Sequence, residues 1–171
     1  MKKKFTKILA CFLLIFGLGL VLGNEKADAS WGMNHTFTTP RATRGTWYWR
    51  QGRHIKRLRI TSHTVNKHRL YQSLANKQYN YYLKKLYQLP DKQQLKTYKY
   101  FDQHVYEAYN FRFHGKNSFN INGWLAGAGD GIYYTPVQRH RYGKKVKAIR
   151  IGHGAGCWLT AYAYHSKKLA R

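Results

Sequence analysis

The chain is poor in acids and in cysteine, and beyond residue 22 it has no long apolar run. Each shortage removes a class of explanation. Six Asp and Glu stand against 31 Lys and Arg in 171 residues. Two acids, Glu25 and Asp28, lie in the first 29 residues, which leaves Asp91, Asp102, Glu107 and Asp130. Glycoside hydrolysis usually sets two carboxylates across a substrate. Asp102 and Glu107 are five apart and do not share a helix face cleanly. Surplus positive charge also lowers carboxylate pKa values, which disfavours a general acid. Of the two cysteines, Cys11 sits in an N-terminal apolar stretch. Only Cys157 remains beyond it, so no internal disulfide is expected and packing alone must hold the fold. Without a later apolar run, no further stretch is expected to span a membrane.

Residues 1–29 read as a secretory signal peptide. Lys2, Lys3, Lys4 and Lys7 form a basic start, Ile8 to Leu22 an apolar middle, and Ala27-Asp28-Ala29 a small-x-small cleavage pattern. Cleavage is expected after Ala29. An uncleaved anchor is the competing reading, but the apolar stretch is short for a span and two Gly, Gly17 and Gly19, interrupt it. Cys11 lies too early for a lipoprotein anchor. A Lys-rich signal and the lack of disulfides suit a Gram-positive bacterium. The exported part keeps 26 Lys and Arg against four acids, a formal +22. Such charge can mean disorder, but 16% aromatic residues supply enough surface to build a core.

Residues 30–44 read as a loose leader, and residues 45–171 as one β-barrel-like domain. Trp47 and Trp49 share a strand face by period-2 spacing, Gln51-Gly52-Arg53 turns, and Ile55 to Thr61 alternates again. Val65 to Gln72 is a weaker third strand. In 74–89, Tyr79, Tyr82, Leu83, Leu86 and Tyr87 follow helical spacing, with Ser73 as a cap and Pro90 as the stop. Leu95 to Ala108 fits helix or strand. Tyr109, Phe111 and Phe113 alternate with polar residues, and Gly115-Lys116-Asn117 turns. Phe119 to Leu125, Ile132 to Val137 (ending near Pro136), Lys145 to Ile151 and Cys157 to His165 complete the strands. Turns are expected at Gly127 to Gly131, Tyr142-Gly143-Lys144 and Gly152 to Gly156. About eight closely spaced strands predict a mainly β fold, an antiparallel meander closing into a small barrel or sandwich, with one short helix.

Gly45-Thr46-Trp47-Tyr48, Gly154-Ala155-Gly156-Cys157-Trp158 and the ending Ser166-Lys167-Lys168-Leu169-Ala170 resemble small secreted proteins of lactobacilli. That resemblance spans most of the exported part, is loose in its middle, and implies a compartment and one fold unit rather than a mechanism. Gly45-x-Trp47 also resembles the opening of lipocalin-like barrels. It implies a Trp closing the barrel base under a basic side chain near the last strand, here Arg150 or Lys167. The second lipocalin motif, around a Thr-Asp-Tyr turn, is absent.

Other constellations read as structure. His153-Gly154-Ala155-Gly156-Cys157 is superficially similar to the Ser-His-Gly-Cys site of L,D-transpeptidases, wall enzymes acting on peptidoglycan. Here the Ser is missing, two residues are inserted and no Arg follows the Cys. Cys157 alternates with Leu159, Ala161 and Ala163, which reads as core. Nine scattered His include no His-x3-His pair with Cys or acid support, so no metal or cofactor is expected. Gly127-Ala128-Gly129-Asp130-Gly131 and Gly152-His153-Gly154-Ala155-Gly156 read as hairpin turns rather than nucleotide loops.

The basic residues form two groups: Arg53, Lys56, Arg57 and Arg59 on one hairpin, and Arg139, Arg141, Lys144, Lys145, Lys147 and Arg150 on another. The exported charge exceeds the roughly 2 to 8 that solubility asks of a small domain. An anionic partner is therefore expected. Export turns attention from intracellular nucleic acid to teichoic-acid phosphates of a cell wall or to an anionic membrane surface. Aromatics beside cations suit a sugar-phosphate polymer, with Trp47, Trp49, Trp124 and Trp158 as contact candidates. The reading is a non-enzymatic, surface-associated barrel. Its alternatives are a lipocalin-like carrier of a small apolar ligand, with Trp47, Trp124 or Trp158 lining the cavity, and a Cys157-dependent wall enzyme.

Overall fold

A computed structural model describes residues 29–126 and 131–171. The expected signal segment up to Asp28 and most of the 127–131 turn lie outside the described residues. The chain divides into Met1–Asn34 and His35–Arg171. In the described part of the first unit, the Gly32 N–H donates to the Ala29 carbonyl at 3.1 Å.

In the second unit a 3-10 turn, Arg41–Thr43, leads into β1 (Gly45–Gln51), β2 (His54–Ile60), β3 (Thr64–Val65) and β4 (His68–Gln72). Helices α1 (Asn76–Tyr87) and α2 (Asp91–His104) follow. Then come β5 (Val105–Phe113), β6 (Lys116–Gly123), β7 (Ile132–Arg141), β8 (Lys144–His153) and β9 (Trp158–Tyr164). These strands pair in chain order and close into a barrel through Tyr48 opposite Tyr164. Closure, not a sandwich, is what removes the sheet edges.

Three differences from the expected meander have local causes. The 65–72 strand is two strands, because Asn66 and Lys67 adopt φ of 50° and 78° and form a two-residue hairpin turn. The same turn recurs one residue earlier than expected at His114-Gly115, and again at Tyr142-Gly143, with positive φ at both positions of each pair. Pro136 does not end its strand. It pairs with Ile149 on β8, while the β6 ladder has already stopped at Tyr134 opposite Phe119. On that side a missing N–H costs β7 no sheet bond.

The third difference is that β4 and β5 are parallel, not antiparallel. Parallel neighbours need a crossover connection, and the helix pair supplies it. Leu86, in the last turn of α1, is fully buried as its spacing predicts, whereas Tyr87 of the same stripe is 61% exposed. The ambiguous 95–104 stretch is helical. Pro90 ends α1 and opens α2, its carbonyl accepting from the Gln93 and Gln94 N–H groups. The Gln94 side chain donates back to the Leu86 carbonyl at 3.2 Å, satisfying an end group of α1.

The interior is filled from every strand. Trp47, Leu58, Ile60, Val65, Leu70, Ala108, Phe119, Ile121, Tyr134, Ile149, Ile151 and Ala163 form one cluster, none more than 7% exposed. Each large side chain buried there contributes about 1.5–3 kcal/mol. Tyr134 packs 5.1 Å from Phe119, and burial pushes its phenol well above the ordinary value.

The stretch read as a loose leader is tied to the barrel from Thr36 onward. Phe37 joins the core, its N–H donating to the Leu70 carbonyl, and the Thr39 N–H donates to Ser62. The Thr39 hydroxyl donates to the Thr61 carbonyl at 2.7 Å. A composition of Thr and Pro reads as loose because hydrogen bonds to distant strands leave no local periodicity.

Candidate functional site

Strand alternation sends half of the basic residues outward. Leu58 and Ile60, and Ile149 and Ile151, face the core. Arg57 and Arg59, and Arg150 and Lys144, therefore take the outer face, with Arg139 and Arg141 beside them on β7. Lys56, Lys145 and Lys147 are in phase with the core positions but lie toward the strand ends, where they are exposed.

The two basic hairpins, about ninety residues apart, share one sheet surface because β9 lies between them. One pairing row runs Arg57–Tyr48–Tyr164–Ala148–Val137. The tips do not meet. β1 and β8 both run antiparallel to β9, so Arg53 at the β1–β2 turn and Lys144 at the β7–β8 turn mark opposite ends.

Rings alternate with cations across this face. The Arg139 guanidinium lies 4.2 Å from the Tyr162 ring centre, and Arg150 lies 4.6 Å from Phe113. Arg141 lies 5.5 Å from Tyr164, and Lys167 5.9 Å from Tyr48. Beyond Phe113 the outward side chains of β5 continue as Phe111 and Tyr109, with Phe111 edge-on to Tyr133 at 5.4 Å. The Tyr109 phenol is pushed up to about 12 by burial and by its hydrogen bond with Tyr133. Nearby, burial raises the Glu107 carboxyl above its ordinary range.

Two clefts open at the edge of this surface. The outer one, about 410 Å³, has Phe113, Lys116, Arg150 and Tyr162 in its walls, together with Thr135. The Thr135 hydroxyl is buried there without a hydrogen-bond partner. The second, about 440 Å³, lies at the end of the barrel beside the 3-10 turn, and Arg41, Arg44, Lys147 and His165 line it. Lys116, Val137 and Gln138 belong to both clefts.

The expected aromatic contacts divide. Trp47 and Trp124 are 1% and 2% exposed; the first is in the core and the second packs edge-on against Tyr71. Neither is in the walls of the clefts described above. Trp49 is half-buried against the core, and Trp158 is 61% exposed at the start of β9. A Cβ on Gly154 or Gly156 would collide with the Trp158 ring, so these glycines let the indole lie on the turn backbone.

Trp47 does not pack under Arg150 or Lys167. His165 stacks on it at 3.6 Å, and its indole N–H donates to the Thr43 carbonyl at 2.8 Å. Arg150 is engaged elsewhere, donating to the Cys157 carbonyl at 2.7 Å and to its Sγ at 3.2 Å. Cys157 is buried, but not through strand alternation. It sits in the turn at φ 50°, and the bulge at Ile151/Gly152 leaves Leu159 49% exposed. His153 bonds the Thr160 hydroxyl at 2.6 Å rather than the thiol.

Arg41, Arg44, Lys116, His165, Phe113 and Tyr162 escaped the sequence reading of the basic site. The alternation of Tyr109, Phe111 and Phe113 and that of Tyr162 and Tyr164 were the signals for the ring surface. Arg41 and Arg44 were hidden in the supposed leader. Among the described residues no three His, Cys, Asp or Glu come together to hold a metal ion, and no helix is long and apolar enough to cross a membrane. Comparison with protein-family models, with curated proteins and with solved structures finds no match to this chain, so the functional reading rests on the chemistry of these surfaces.

Proposed function

We propose that this protein is exported and associates, without catalysis, with the bacterial cell surface by binding anionic wall polymers such as teichoic acid. The observation that carries the reading is the shared outer face of β2, β1, β9, β8 and β7. There exposed Arg57 and Arg59 on one side, and Arg139 over the half-buried Tyr162 ring on the other, flank the closing segment that covers Tyr164 and Ala148. Cations suit the phosphates of such a polymer, and rings suit the apolar faces of its sugars. Both are pre-positioned, so less side-chain entropy is lost on binding. The engagement of Cys157 with Arg150 and of His153 with Thr160 favours binding over thiol chemistry. The charge remaining after residue 29 and the basic-apolar pattern before it support export.

Contacts of this kind are screened by salt. Washing cells with about 0.5–1 M NaCl should therefore release the protein. An Arg57→Gln, Arg139→Gln double variant should release at lower salt. Retention on the pellet at high salt, or wild-type retention by the double variant, contradicts the reading. N-terminal sequencing of the released protein should begin at Ser30.

A further inference from the structure

We infer that the cleft at the 3-10 end of the barrel is a discrete phosphate-binding site. This rests on the wall-polymer reading only in naming the phosphate's source, since the cleft would hold a free phosphate equally well. Its cations come from three separate pieces of chain, Arg41 and Arg44 at the 3-10 turn, Lys116 after the β5–β6 turn and Lys147 on β8, and His165 after β9 adds its imidazole to the wall. A run of charge along one strand is ordinary solvated surface. Convergence of distant cations on one concavity is not, because each repels the others. None of the described lining residues is an acid that would relieve that repulsion. Pro136, Val137 and Ala148 make part of the wall apolar, which strengthens an anion's attraction to the surrounding charges.

Two of the walls are fixed before any ligand arrives. Arg44 donates through Nη2 to the Thr39 carbonyl at 2.7 Å and through Nε to the same residue at 3.3 Å. Thr39 in turn is bonded to Thr61 and Ser62. His165 is stacked on Trp47, and its Nδ1–H donates to the Thr46 carbonyl at 3.1 Å. The stack and the bond together fix the orientation of the ring in the wall. Arg41 and Lys147 are exposed members of its lining. A tetrahedral oxyanion with several acceptor atoms matches such a set better than a carboxylate, because it accepts from more directions at once. Lys116 and Gln138 then join this cleft to the outer one, where Phe113 and Tyr162 offer rings to a sugar attached to the phosphate.

The test is calorimetric titration of the purified protein with inorganic phosphate, glycerol 3-phosphate and acetate. Ionic strength is held at about 0.15 M. Saturable one-site binding of both phosphates but not of acetate is expected. Lys147→Gln and Arg44→Gln should each weaken it by about tenfold or more, and Lys96→Gln, exposed on α2 away from either cleft, by less than about twofold. Heats that do not saturate, equal binding of acetate, or an equal loss in Lys96→Gln overturn the assignment. Arg44→Gln also cuts structural bonds, so the exposed Lys147→Gln decides if the former misfolds. Saturation by phosphate upholds the site even if cells fail to retain the protein. Its absence overturns the site even if they do retain it.

Discussion

Glu107 sits half-buried on β5 opposite Tyr71 of β4 and Asn122 of β6. Burial raises its carboxyl, so the folded chain binds its proton more tightly than the unfolded chain. Stability from this group is therefore present below the unfolded value and is lost as pH rises through the folded one. At neutral pH the ionised carboxylate opposes folding. Glu107→Gln should raise the neutral-pH melting temperature, and the gain should vanish in acid, below the ordinary glutamate range. A constant gain across the series would mean that packing, not charge, is responsible. The residue scale is also where sequence reading was weakest. Cys157 was read as core from an alternation with Leu159 that the bulge at Ile151/Gly152 breaks, and its hold on Arg150 depends on that same bulge, which no spacing reveals. Trp47 was offered both as the base of a barrel, by resemblance, and as a contact residue, and the structure buries it in the core. Its partner, His165, comes from the far end of the chain and carries no motif.

At the scale of elements, the closing segment Ser166–Arg171 folds over the outer sheet. Ala170 is buried and Leu169 half-buried against a cluster containing Ala148, Tyr164, Tyr48 and Val137. Arg141 donates to the Leu169 carbonyl at 3.1 Å and holds the segment against the β7–β8 hairpin. Leu169→Ala should destabilise the protein by ~1–2 kcal/mol in urea melts, part of the full cost of a buried Leu. Exposed Lys168→Ala should change stability by less than about 0.5 kcal/mol. Equal effects would show that the segment is not packed as described. The strands themselves were readable because inward Leu, Ile, Phe and Trp alternate with cations and polar residues. The first helix was readable from its Leu86 stripe. The second was not, since Leu95 is 71% exposed and only Phe101 of that helix is fully buried. Such a weak stripe does not separate helix from strand.

At the scale of the whole molecule, charge was legible as an amount and not as a pattern. The sequence placed it on two hairpins; closure of the barrel places both on one surface and adds an end cleft that neither hairpin announces. The single parallel pair, β4 with β5, was invisible because strand direction follows from the length and path of the helical crossover rather than from strand composition.

Closure also orders events in time. The barrel's seam joins Tyr48 to Tyr164, so its first strand finds its last partner only when almost the whole chain is available. Contacts between such distant residues carry a large loop-closure cost and form late in folding. Until then β1 and β8 are open edges, and the outer surface, with Arg57 on one side of the gap and Arg150 on the other, does not exist. On the export route proposed above, a chain crossing the membrane as an extended thread cannot lock into this form while its last strand is still on the near side. The outer face of β2, β1, β9, β8 and β7 is thus the last part of the barrel to be assembled.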